Sequence, residues 1–416
     1  MNLDTTVVLG VIFFMLYSSV LFLLVFLSKA KETKSDPTPK KMSLVSIVIP
    51  IYKGDKKELI TRAVDSALAL DYPETEVILS WNGPKNENYE LCEQLEKKRN
   101  VKLFYTPKKG KAAGINNALA EVRGEYFSCL DADSFYHKNA LKCMVGYLEQ
   151  PNVAAATSAM KAHGSKSIIQ KIQWVEYIFA IYLRKMMSFL NCLYVVPGPG
   201  SMYKTEIIRK IGGFDEENLT EDMEIAFRIQ KEGYKIANSA NAYVETDTPE
   251  KLADLVKQRV RWFVGFLDNV KKYKMFVLNP RYGSLGMYMI PASIVWIGVL
   301  FYTIGKFFYN VIDGMRFSIK TFLLTGFNLD IFLKHIIDSL YFQPTVMTWF
   351  VAVLFIIGVS AILISLWLSN EKVDLRKKYA HYAAFLLVYP FLMALFWASS
   401  LTYIAMRIIT NTKMEW

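Results

Sequence analysis

Residues 126–134 read YFSCLDADS. Tyr126 to Leu130 is a short apolar run of the kind that forms a buried strand, and it leads straight into Asp131-Ala132-Asp133. Side chains alternate across an extended chain, so Asp131 and Asp133 share one side. Upstream the pattern recurs. A β-branched run from Leu44 to Ile49, ending at Pro50, predicts another buried strand. Glu76 to Ser80, stopped by Asn82-Gly83-Pro84, predicts a second, and Val101 to Tyr105 a third. Helical patterns at Glu58–Leu70, Tyr89–Lys98 and Ala112–Ala120 lie between them. Strands alternating with helices make an open, mostly parallel α/β sheet. Ligands of such sheets bind beyond the carboxyl ends of the strands, where Asp131 and Asp133 fall. Two carboxylates there suit a hard divalent cation, Mg2+ or Mn2+, shared with phosphate oxygens. Taken alone, an Asp-x-Asp is equally a solvated turn.

The 416-residue chain is 53% hydrophobic and carries a net charge of +11, with a mean hydropathy of +0.20. Four uncharged apolar runs are long enough to cross a bilayer: Val7 to Leu27, Tyr282 to Gly305, Val346 to Leu368 and Tyr382 to Met406. The first follows MNLDTT, which lacks a basic n-region, so it reads as a retained anchor rather than a cleaved signal. Lys29, Lys31, Lys34, Lys40 and Lys41 follow it, and Lys372, Arg376, Lys377 and Lys378 lie between the third and fourth runs. The positive-inside rule puts both segments in the cytosol. Residues 28–281 are then cytosolic and 306–345 form an outer loop. The basic excess is first a property of those loops and second of a pyrophosphate site; no nucleic-acid recognition motif is present. Cys92, Cys129, Cys143 and Cys192 have no metal-ligand spacing, as expected of a reduced cytosolic domain.

Two further features carry chemistry. Thr220-Glu221-Asp222 precedes the helical run MEIAFRIQKEGY. Thr220 suits a helix N-cap with acids in the first turn; alternatively one carboxylate is a general base, ionised at its usual pKa. Gln258-Arg259-Val260-Arg261-Trp262 lies in an amphipathic helix whose apolar stripe is Leu252, Leu255, Val256, Phe263, Val264, Leu267 and Val270. Just before a span, such a helix is expected to lie at the membrane interface. Its arginines can clamp a pyrophosphate and its indole can take the CH face of a sugar. A second amphipathic stretch, Ile168 to Leu190, is also expected at the interface, and a third, Asp330 to Tyr341, on the outer surface.

In order and spacing, SIVIPIY, GKAAGINNAL, LDADS, PGPGSMYKTEIIRKIGGFD, LTEDMEIAFRIQKEGYKI and QRVRW resemble the family 2 inverting glycosyltransferases. The likeness is to the membrane polysaccharide synthases that make cellulose, hyaluronan, chitin oligosaccharides or poly-N-acetylglucosamine. It implies a GT-A-like α/β domain with a mixed, mostly parallel sheet, interfacial helices and about four transmembrane helices. The corresponding divisions are an N-terminal span over 1–28, a linker over 29–43, a transferase domain over 44–250, the interfacial helix over 251–281 and a membrane domain with three spans over 282–416. The resemblance implies a nucleotide pocket lined by Pro50 and Tyr52, with Asn82, Lys111, Asn116 and Asp131 around the nucleotide-sugar. Asp133, with Asp131, would ligate the metal. Gly198, Gly200 and Ser201 would border the acceptor. Asp222 would be the base with Glu221 beside it, and Gln258, Arg261 and Trp262 would close over the diphosphate, Trp262 also meeting the acceptor sugar.

Where the family often has Asp-Asp-Gly after the second strand, this chain has Trp81-Asn82-Gly83, and Lys53-Gly54-Asp55 replaces the usual Asn-Glu after the first. A UDP-sugar is the expected donor, with base identity open because an amide both donates and accepts. The acceptor is a growing polysaccharide, coupled to export, or a membrane lipid receiving one sugar. An inactive transporter or scaffold is the reading from another class. Four spans make a narrow conduit, so a polymer exporter of this kind calls for a second copy or an accessory membrane subunit. The setting expected is the cell membrane.

Overall fold

The computed structural model describes residues 3–108, 110–326, 334 and 346–410. Eight strands form one sheet: β1 (Val45–Tyr52), β2 (Thr75–Asn82), β3 (Val101–Thr106), β4 (Tyr126–Cys129), β5 (Ser134–Tyr136), β6 (Val153–His163), β7 (Met202–Lys204) and β8 (Lys235–Asp247). Their order is β3-β2-β1-β4-β7-β6-β8-β5. The first four are parallel. β7 runs antiparallel to β4 and β6, β6 and β8 are parallel, and β5 is antiparallel to β8. The sheet is therefore mixed.

β1 is buried from Val45 to Ile51, as its unbroken apolar run requires of a central parallel strand. It continues past the expected stop at Pro50. β4 pairs with it only from Val45 to Val48, so the missing proline N–H falls where no partner remains on that side. Register then sets the functional edge: Tyr52 pairs with Asn82, and β4 ends at Cys129 beside Val48. Tyr52, Asn82 and Asp131 thus leave the sheet at one end. The helices Lys57–Leu68, Glu87–Lys98 and Lys111–Glu121 alternate with these strands. Ile60, Val64, Leu79, Trp81 and Leu141 lie in one continuous core.

The chain falls into two compact units. One comprises Met1–Leu24 with Ala292–Ile362, the other Val25–Pro291 with Leu363–Trp416. Among the described residues, four helices are long and apolar enough to cross a membrane: Thr6–Ser28, Leu285–Leu324, Thr348–Leu368 and Lys378–Thr410. The second differs from its expected end at Gly305. Helix Ile290–Thr325 continues through Lys306, Arg316 and Lys320, so the first part of the expected outer loop is helical. No proline interrupts it, and Gly326, at a φ of 67°, closes it with a left-handed turn. The amphipathic segment expected over 330–341 lies outside the described residues, Lys334 excepted.

In the larger unit, the turn after Leu368 is fastened to the sheet. Lys161 Nζ donates to the Ser369 carbonyl at 2.5 Å, Tyr243 Oη to the Leu368 carbonyl at 2.9 Å, and Lys34 Nζ to Asn370 Oδ1 at 2.7 Å. The Lys34 linker and the turn beyond the third apolar run therefore lie on the same side as the sheet.

Parts of both amphipathic helices pack on protein, while Ile168 and Leu252 at their starts stay exposed. Leu255, Val256 and Phe263 of the Leu252–Lys272 helix pack with Ile172 of the Ile168–Phe189 helix against Ala384, Leu392 and Phe396 of the final helix, Leu375–Thr410. Val260 and Val264 pack on Tyr403, Phe263 stacks on Trp397 with ring centroids 4.3 Å apart, and Arg407 forks onto Asp268 at 2.8 and 2.7 Å. The middle of the Leu252–Lys272 stripe is therefore covered by the final helix.

Helix Glu221–Lys231 meets Leu252–Lys272 at Gly265. Thr220 occupies the N-cap position without making a side-chain cap. Its methyl and hydroxyl fill the space over Gly265, and its Oγ1 accepts from Asn269 Nδ2 at 3.1 Å. A Cβ on Gly265 would lie 2.3 Å from Thr220 Oγ1. Gly265→Ala is expected to force the helices apart and cost about 1–3 kcal/mol, read as a lower thermal unfolding midpoint of the purified protein. An unchanged midpoint would remove this contact from the fold's requirements.

Candidate active site

The Lys111–Glu121 helix begins after Gly110, which at a φ of 120° turns the chain from β3 into the helix. Its first side chain, Lys111, reaches the strand ends. Lys111 Nζ lies 2.5 Å from Asp131 Oδ1 and 3.3 Å from Glu221 Oε1. Two acidic motifs far apart in sequence therefore meet at one ammonium. Burial works against that charge, but Asp131, Glu221 and Asp222 outweigh it and raise the Lys111 pKa.

Asp133 lies just beyond. Burial, then the Asp131 charge, push its carboxyl up to about 6, against a hydrogen bond from Ser134 and the charge of Lys111. Ser134 Oγ donates to Asp133 Oδ1 at 2.9 Å. Asp133 is exposed and Asp131 half-buried at the strand end, and two neighbouring carboxylates open to the cleft match the hard-oxygen preference of Mg2+ or Mn2+.

Asp222 stands in the first turn of Glu221–Lys231. Burial and the neighbouring Glu221 push its carboxyl up to about 7, while Lys111 and Arg261 pull it down. This corrects the expectation of an ordinary carboxylate pKa. The Asp222 carboxyl therefore lies above the ordinary carboxylate range. Met223 N donates to Asp222 Oδ1 at 2.9 Å, and Glu221 is buried at 8% exposure.

Gln258, Arg261 and Trp262 lie three and four residues apart on one helix face. Arg261 acts on Asp222, and Gln258 Oε1 is buried with no hydrogen-bond partner among the described residues. Asn82 Oδ1 is buried and unpartnered in the same sense, where the Lys111–Glu121 helix crosses it closely at Gly114. Tyr52 is 39% exposed at the end of β1, and Pro50 is buried. Asp55, not singled out by sequence, turns back to accept from Tyr52 N at 2.7 Å, and its carboxyl is raised chiefly by burial.

Two expected site residues have local structural partners. Both polar atoms of Asn116 engage Phe214: Nδ2 donates to its carbonyl at 2.8 Å and Oδ1 accepts from its N–H at 2.7 Å. Ser201 is fully buried, with its hydroxyl on the Pro197 carbonyl at 2.6 Å. Gly200, at a φ of 73°, is packed between Val244 and Tyr136. Gly198 lies over the ion pair: a Cβ there would come within 2.4 Å of Lys111 Nζ and 3.0 Å of both Asp131 oxygens. Arg259, one of the two arginines expected to clamp a pyrophosphate, is paired within the protein instead. It is 3% exposed and pairs with Glu176 at 2.9 Å.

A family model described as glycosyltransferase like family 2 matches residues 41–265. The poly-beta-1,6-N-acetyl-D-glucosamine synthase of Staphylococcus epidermidis is 23% identical over 345 residues, 77% of this chain and 82% of the relative. The protein of that name from Staphylococcus aureus (strain COL) is 24% identical over 278 residues, 65% of this chain and 67% of the relative. The solved mannosyltransferase PcManGT from Pyrobaculum calidifontis, in complex with GDP-Man and Mn2+, matches with a TM-score of 0.55 at 16% identity. It covers 86% of this chain and 99% of that one. That likeness is one of fold, and it agrees with the GT-A-like mixed sheet.

Gly198→Ala is expected to leave the unfolding midpoint near wild type, because Gly198 is not in the left-handed region and the groups it meets are the side-chain ends of Lys111 and Asp131. It should displace Lys111 and weaken nucleotide diphosphate binding several-fold by calorimetry. Wild-type affinity would show that the pair does not face the ligand.

Proposed function

This chain belongs to glycosyltransferase family 2, and we propose that it is an inverting membrane polysaccharide synthase whose donor is UDP-N-acetylglucosamine. The observation that carries the reading is Lys111 bridging Asp131 and Glu221, which joins the donor-side and base-side acids in one site. The donor sugar is read from the name shared by the two staphylococcal relatives. The chemistry is a single displacement at the anomeric carbon. The acceptor hydroxyl forms the new C–O bond, the bond to the diphosphate breaks, and Asp222 takes the hydroxyl proton. Lys111 and Arg261 supply fixed positive charge to the departing diphosphate. A divalent cation, Mg2+ or Mn2+, held by Asp133 and Asp131 would add charge of the same sign. Gln258 is proposed to complete the donor cover, with Asn82, Pro50 and Tyr52 at the base.

The basic segments after the first and third apolar runs favour a cytosolic transferase domain at the cell membrane. The turn at Ser369 and Asn370 shares the sheet's side, in agreement with that orientation.

The test is to incubate the full-length reconstituted protein with a panel of labelled nucleotide-sugars, with Mg2+, Mn2+ or EDTA, and size the products. A ladder from UDP-N-acetylglucosamine is expected. A single glycolipid would replace the polymer reading with lipid glycosylation, and no product from any donor would refute the enzyme. Asp222→Asn should lower turnover by about two to four orders of magnitude with donor binding retained; preserved turnover removes Asp222 as the base.

A base must be ionised, so turnover should rise with pH through about 7 and fall below it, following the Asp222 carboxyl. Glu221→Gln removes the neighbouring charge that raises Asp222, and the acid limb should move to lower pH. A limb that stays in place would separate it from Asp222.

A further inference from the structure

Within QRVRW, Arg259 faces differently from the residues around it. One helical step turns it about 100° from Gln258, and it is 3% exposed rather than open to the site. A buried guanidinium is costly unless it is paired. Its pair is Glu176, at 2.9 Å on the Ile168–Phe189 helix. The Tyr389 hydroxyl of the final helix faces the same carboxylate. Arg259 makes one more contact: its guanidinium carbon lies 4.2 Å from the centroid of the Trp262 ring, three residues on. Planar stacking of this kind is a property of arginine that lysine lacks.

We propose that Glu176 and Arg259 are positioning residues for Trp262. Glu176 fixes the guanidinium, the guanidinium covers one indole face, and the indole is held in a single rotamer with its other face available to a sugar ring. Specificity for the acceptor then depends on a carboxylate that never meets it. The inference rests on the reading that Trp262 contacts the acceptor.

The experiment uses the full-length enzyme in lipid nanodiscs, UDP-N-acetylglucosamine as donor and short β-1,6-linked N-acetylglucosamine oligomers as acceptor probes. Trp262→Ala is the reference. Arg259→Lys keeps the ion pair with Glu176 and loses the stacking plane, so it tests positioning without uncovering a buried charge. Glu176→Gln loosens the guanidinium. Both are expected to raise the acceptor KM several-fold, with donor KM unchanged and product ladders shorter. An acceptor KM that rises in Trp262→Ala and stays at wild type in Arg259→Lys and Glu176→Gln would overturn the inference alone. An acceptor KM unmoved in Trp262→Ala would overturn the acceptor reading beneath it, and the inference with it. A fall in kcat with both KM values unmoved would overturn the inference by showing that the pair serves only the scaffold.

Discussion

Lys111 Nζ stands 2.5 Å from Asp131 and 3.3 Å from Glu221, and much of the site's arrangement follows from having one cation among several acids. Asp131, Asp133, Glu221 and Asp222 would repel one another in a partly buried cleft. A single ammonium neutralises part of that charge, while burial first and the neighbouring carboxylates second raise the carboxyls of Asp133 and Asp222. On the proposed reading, this arrangement would leave one place for a divalent cation and another for a carboxylate that takes a proton.

The parallel half of the sheet was legible in sequence because β1 and β2 are dense in apolar and β-branched residues, and β4 is a short apolar run leading into the acids. The other half was not. β6 reads VAAATSAMKAH and β8 reads KIANSANAYVETD. Alanine-rich and polar strands carry little period-two signal, and both are recognisable only once their neighbours cover them. The strand-end acids and the QRVRW helix could be found because their chemistry lies in residue type and spacing.

What spacing could not show was ownership of each contact. Asn116 and Ser201 sit in motif positions yet bond to Phe214 and Pro197. Thr220 looks like a cap and serves as a packing group over Gly265. The upward push on the Asp222 carboxyl was not legible for the same reason, since burial is a tertiary property. The interfacial helices illustrate it on a larger scale: amphipathic periodicity states that a face will be covered and is silent on what covers it.

That covering has a consequence for how the molecule can be divided. The stripe of Leu255, Val256, Val260, Phe263 and Val264 closes on the last helix of the chain, and Asp268 is locked to Arg407. A cut between the transferase region and the membrane region would therefore expose an apolar seam and strand an ion pair. The helix that brings Arg261 toward Asp222 would lose its backing at the same stroke. The transferase region and the last helix thus share one apolar seam.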